Sequence, residues 1–157
     1  MKWLWRSTLL VLVMACLASS VTACKSSLPD VTGRWSGNGD LTTQMSRAPG
    51  SLRTQSAKVE AVQITMTLNQ SGSGISGDTA VTMSGKPAIH LPITAGVVGK
   101  DGKVSIESDR SGFGNAHLSF NGNVAASQLS GDVSLKMDTL LGVAINEGKI
   151  SLKQGTP

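Results

Sequence analysis

Tyrosine is absent from this 157-residue chain, and its other aromatic residues are three tryptophans and two phenylalanines. Trp3 and Trp5 stand at the extreme amino terminus, which leaves Trp35, Phe113 and Phe120 for everything else. Surfaces that bind sugars or single-stranded nucleic acid use aromatic side chains as stacking platforms, so this scarcity argues against both. Cysteine is as rare. Cys16 and Cys24 are the two present, and beyond them no thiol remains for a disulfide or a cysteine metal site. Stability there must come from packing. An excess of one charge is also missing. The formal net charge is +4, and Lys2 and Arg6 account for half of it. The remainder is near neutral and mixed, without the basic footprint of a nucleic-acid binder.

What is present begins at the amino terminus. Lys2 and Arg6 make a basic head, and Ser7 to Ser20 is almost wholly apolar. Val21-Thr22-Ala23 then leads into Cys24. This is the pattern of a secretory signal, in which charge holds the head in the cytoplasm while the apolar stretch enters the bilayer. A run of about fourteen residues is short for a spanning helix, which takes about 20. An uncleaved anchor and a signal peptide cut elsewhere are the alternatives.

Val21-Thr22-Ala23-Cys24 resembles the lipobox of bacterial lipoproteins. The resemblance implies removal of residues 1–23 and a diacylglyceryl thioether with an N-acyl chain on Cys24. Each buried methylene adds about 0.8 kcal/mol, so two or three such chains hold a protein firmly on a membrane. In lipoproteins of the enterobacterial type, Asp after the cysteine favours inner-membrane retention. Lys25 stands there instead, which points to the outer membrane and its periplasmic face. Val13-Met14-Ala15-Cys16 is a second, shorter lipobox-like stretch, with an apolar region of only about seven residues before it.

Residues 24–30 read as the lipidated cysteine and a short tether. The six residues from Lys25 to Asp30 span about 20 Å when fully extended. Residues 31–157 read as one all-β domain. Val62, Ile64, Met66 and Leu68 alternate with polar neighbours, the period of a half-buried strand. Ile75, Thr79, Val81 and Met83 follow on one parity, after the turn signal Ser71-Gly72-Ser73-Gly74. Ile89, Leu91 and Ile93 repeat the pattern, with Pro87 and Pro92 marking edges or bends. Asp101-Gly102 is a hairpin signal before Val104 and Ile106. Ala116, Leu118, Phe120, Gly122 and Val124 share a face, as do Leu129, Val133, Leu135 and Met137, and Ile150 and Leu152 suit a closing strand. The continuous apolar run from Leu140 to Ile145 reads as buried strand, with a short helix as its rival.

About eight short strands joined by Gly, Ser and Asn turns predict a single antiparallel meander. Closure into a small up-and-down barrel removes exposed edges, and a two-sheet sandwich is the alternative. Ile75-Ser76-Gly77-Asp78 echoes Leu129-Ser130-Gly131-Asp132, with Leu68-Asn69 and Phe120-Asn121 upstream, as two similar hairpins would.

Gly33-x-Trp35 near the start of a meander resembles the calycins, the group of lipocalins and avidins. The resemblance implies a barrel with Trp35 across its closed end. It carries no ligand over, because the second lipocalin motif and the Trp and Tyr lining of avidin sites are missing.

Candidate chemistry is sparse. His90 and His117 lie 27 positions apart without metal-ligand spacing, and exposed or locally paired histidines are expected. Asp78 and Asp132 follow Ser-Gly and read as turn residues rather than an acid–base pair. No serine sits in a G-x-S-x-G setting, and Ser71 to Gly74 has no following Lys-Ser or Lys-Thr. The stretch from Thr42 to Lys58 has no acidic residue but carries Arg47, Arg53 and Lys58, long for a hairpin loop and suited to a barrel mouth or to anionic headgroups. The reading is a non-catalytic envelope lipoprotein without a cofactor or metal. It either binds a small apolar ligand or lipid in its barrel or serves as an interaction module for another envelope protein. Gly77, Gly122 and Gly131 suit either an unfilled interior or the bends of a tightly closed one.

Overall fold

The computed structural model describes residues 27–46, 57–112, 114–140 and 142–155. The leader, Cys24, Arg47, Arg53 and Phe113 fall outside them. Among the described residues the chain forms eight strands and no helix. These are β1 (Gly33–Ser46), β2 (Lys58–Ser71), β3 (Gly74–Met83), β4 (Ile89–Val98), β5 (Lys103–Arg110), β6 (Ala116–Ala125), β7 (Gln128–Thr139) and β8 (Gly142–Gln154). Each pairs antiparallel with its neighbour in sequence, and β8 returns to β1, so the meander closes into a barrel rather than a sandwich.

Alternation puts one parity of every strand inside. Trp35, Ile64, Met66, Leu91, Ile106, Leu118, Phe120, Leu129, Leu135 and Leu152 are fully enclosed there. The two ends differ. At one end the connections are tight: Gly72-Ser73, Gly99 to Gly102, and Ala126-Ser127. Asp101-Gly102 forms the expected hairpin turn, with Gly102 at φ +80° donating its N–H to the Gly99 carbonyl at 3.0 Å. Val31, just ahead of β1, plugs this end and is fully buried. Its N–H donates to Gln70 Oε1 at 2.8 Å, and its carbonyl accepts from Trp35 Nε1 at 2.8 Å. A buried backbone segment without such partners would be costly, so Gln70 and Trp35 make the plug tolerable. The other end carries the longer connections, from Ser46 to Lys58, Met83 to Ile89 and Arg110 to Ala116. It is the open mouth.

Inward glycines serve the curvature of the wall, not an empty lumen. A Cβ on Gly77 would fall onto the Thr67 carbonyl oxygen, and Gly77 also holds φ +138°. Gly122 and Gly131 face each other across β6 and β7, where a Cβ on either would strike backbone. Pro92 lies within β4 where the ladders to β3 and β5 slip register, so it marks a bend in a barrel that has no edge.

Three expectations are corrected. The loop expected from Thr42 to Lys58 does not begin at Thr42 or include Lys58, because β1 runs on to Ser46 and Lys58 opens β2, with Thr43 opposite Lys58. Leu140 is a turn residue, 92% exposed, and strand begins only at Gly142. Thr139 pairs with Gly142, and the apolar run is divided by that hairpin. Asp78 and Asp132 are not turn residues either. They lie inside β3 and β7 on the outer wall, opposite Thr67 and Asn121. The Ser-Gly-Asp echo does begin equivalent strands of two hairpins, but its upstream half fails in register. Gly77 pairs with Leu68, whereas Gly131 pairs with Gly122 rather than with Phe120.

Candidate functional site at the barrel mouth

The closing strands meet at the mouth around a recess of about 700 Å³. Met45 from β1, Met137 from β7, Ala144 from β8 and the Leu140 tip give it an apolar wall. Methionine is unbranched and polarisable, and such walls adapt to irregular apolar guests. Asn146 is buried at the inner limit of the recess. It donates through Nδ2 to the Leu135 carbonyl at 3.1 Å and accepts from Thr43 Oγ1 at 2.6 Å.

The rim is charged. Glu60 falls on the inward parity of β2, opposite Leu41, and its side chain is 16% exposed. Lys58 reaches it at 3.1 Å and Lys86, from the β3–β4 connection, at 3.3 Å. The Lys58 hydrogen bond does most to hold the Glu60 carboxyl below its ordinary range, Lys86 adds to it, and burial opposes both. Two cations on one carboxylate leave the trio one positive charge in excess. An anionic headgroup would therefore be attracted to this rim, and an apolar chain to the wall beneath it.

The candidates from sequence scatter. Lys58 lines the mouth, and residues 47–57 connect two strand ends that both stand there, but Arg47 and Arg53 lie outside the described residues. His90 sits on the exposed wall of β4. His117, on β6, is paired locally, as expected for an exposed histidine. Its Nδ1 lies 2.6 Å from Asp109 Oδ1 and its Nε2 3.1 Å from Glu107 Oε2. The His117 hydrogen bond is the main cause holding Asp109 below the ordinary carboxylate range, and the Thr94 hydroxyl adds to it. Ser119 and Asn121 continue the same ladder of polar contacts along the outer wall. Ser119 donates to the Glu107 carboxylate rather than to the imidazole, so the ladder holds no serine–histidine pair. Asp78 and Asp132 stand four strands apart around the barrel and cannot act on one substrate. Among the described residues no group of three or more His, Cys, Asp and Glu could hold a metal ion.

Glu60, Lys86, Asn146 and Met45 were not among the residues singled out from sequence, and Met137 was read there only as sharing a strand face with Leu129, Val133 and Leu135. The signal was faint but present. Glu60 and Asn146 are polar residues on otherwise apolar parities, Glu60-x-Val62-x-Ile64 and Ala144-x-Asn146. No protein-family model matches this chain, and no curated protein matches it either.

Proposed function

We propose that the protein is a lipid-anchored, non-catalytic envelope protein that binds one small apolar or amphiphilic ligand at the barrel mouth. The observation that carries this reading is the mouth recess itself. Its volume lies within the range of small-molecule sites, roughly 300–1,000 Å³, and it combines an apolar wall with a few placed polar groups, as such sites do. Enclosed side chains occupy the closed half, so the guest belongs at the mouth. The net positive rim favours a ligand with an anionic head.

The anchor is the lipobox-like Cys24, expected at the periplasmic face of the outer membrane. The tether joins the barrel at its plugged end, so the mouth faces away from the attachment point. Replacing Cys24 with Ser should abolish incorporation of labelled palmitate into the protein. If the Cys24→Ser protein is still acylated, the lipid lies elsewhere.

Native mass spectrometry of residues 25–157, expressed in the periplasm without lipid, tests the ligand. A reproducible added mass is expected. A bare monomer would reject this reading, and an envelope protein captured by crosslinking would then favour the interaction-module alternative.

A further inference from the structure

We infer that the mouth rim docks on an anionic bilayer surface, inserting the Leu140 tip while Lys58 and Lys86 lie against lipid headgroups. This goes beyond ligand binding but rests on that reading for its purpose, since docking would bring the recess to a surface that supplies amphiphiles. The tip is the first observation. Two-residue hairpin turns favour Gly, Asn and Asp, which tolerate positive φ. Here both residues between the paired Thr139 and Gly142 are leucine. Turn geometry does not call for leucine, and Leu140 is 92% exposed. Val59 at the start of β2 is 64% exposed at the same end.

The second observation is the charge beside that tip. The Lys58 and Lys86 side chains are 74% and 53% exposed, while their shared partner Glu60 is 16% exposed and turned into the mouth. The two lysine side chains are therefore open to solvent while the carboxylate they share is sheltered, and the trio keeps one positive charge in excess. Asp138 lies on the outer wall below the tip, where it accepts from Asn115 Nδ2 at 3.2 Å. A small apolar tip flanked by lysines matches how peripheral proteins sit in the headgroup layer, and each basic residue near an anionic surface is worth about fivefold in partitioning. A stable protein interface would ask for a broad buried area of roughly 800 Å² per partner, not one hairpin tip and a valine. The plugged end offers a contrast. Lys103 is paired there at 2.9 Å with Asp101, a carboxylate itself 55% exposed, the tips are Gly72-Ser73 and Ala126-Ser127, and the exposed apolar residue is Val97 on the wall of β4, at 55%.

The test is flotation of residues 25–157 with vesicles of phosphatidylcholine alone or mixed with phosphatidylglycerol. All eight strands and the Val31 plug lie within this segment, and circular dichroism checks that each variant keeps its sheet. Binding to the anionic vesicles only, weakening with salt, is expected. Lys58→Gln and Lys86→Gln should each cost about fivefold, and Leu140→Ser should also weaken binding, whereas Val97→Ser and Lys103→Gln at the plugged end should leave it unchanged. Failure of the folded wild-type barrel to float, or equal losses from both sets of variants, would overturn the inference. Capture of an envelope protein through Leu140 without flotation would also overturn it. Uptake of a dispersed fatty acid, followed on the same samples by native mass spectrometry, separates the two readings. Uptake without flotation defeats docking alone, and flotation without uptake defeats the ligand reading alone.

Discussion

Trp35 joins the two halves of the closed end. Its ring is fully buried, and its indole N–H satisfies the carbonyl of the Val31 plug. Replacement by Ala removes the ring and orphans that carbonyl, so a loss of roughly 3–5 kcal/mol is expected in urea denaturation. Phe should recover part of the packing and none of the hydrogen bond. Glu60 acts at the opposite end. Its carboxyl is held below the ordinary value of 4.5, chiefly by Lys58. Its stabilisation is therefore complete above that value and is lost as pH falls through the lowered one. Melting temperatures of wild type and Glu60→Gln should differ most near neutral pH and converge in acid. A difference that grew on acidification would contradict the ion-pair account. Glu60 was visible in the sequence as a charge on an apolar parity, but its partner Lys86 was not. The Lys86 contact follows from the geometry of the β3–β4 connection, which local pattern does not encode.

At the scale of the strand, alternation was legible almost throughout, because one face of each strand is enclosed and the other is wet. Met66 and Phe120 stand where period two puts them. The division of the apolar run at Leu140 was not legible, since Leu140 carries no turn signal. The role of the glycines also needed register. Gly77→Ala should cost more than about 1 kcal/mol, because its φ is +138° and its added carbon meets backbone. Gly85→Ala, at φ +73° with nothing near the added carbon, should cost less, and paired denaturation curves measure the difference. Ala126, at φ +52° in the β6–β7 turn, gives the opposite test. Left-handed geometry costs a residue with a Cβ about 1–2 kcal/mol. Ala126→Gly should therefore stabilise the protein by roughly 0.5–1 kcal/mol after glycine's larger entropy loss.

At the scale of the whole molecule, closure creates what no segment contains. The mouth draws Met45 and Thr43 from β1, Lys58 and Glu60 from β2, Met137 from β7 and Asn146 from β8. These come together because β8 pairs with β1, with Thr43 opposite Asn146. The meander and its barrel closure were legible in the sequence, but the recess was not, since its walls depend on the register of first and last strands. The plugged end sets the polarity, fixing tether and recess at opposite ends. The central claim, that the mouth is the ligand site, is tested most directly by the methyl signals of the methionines. Met45 and Met137 line the recess, while Met66 is fully buried away from it. On titration of methyl-labelled residues 25–157 with a single-chain fatty acid, the Met45 and Met137 methyls should shift saturably while Met66 stays fixed. A Met66 shift without the other two, or no shift at all, would contradict the account.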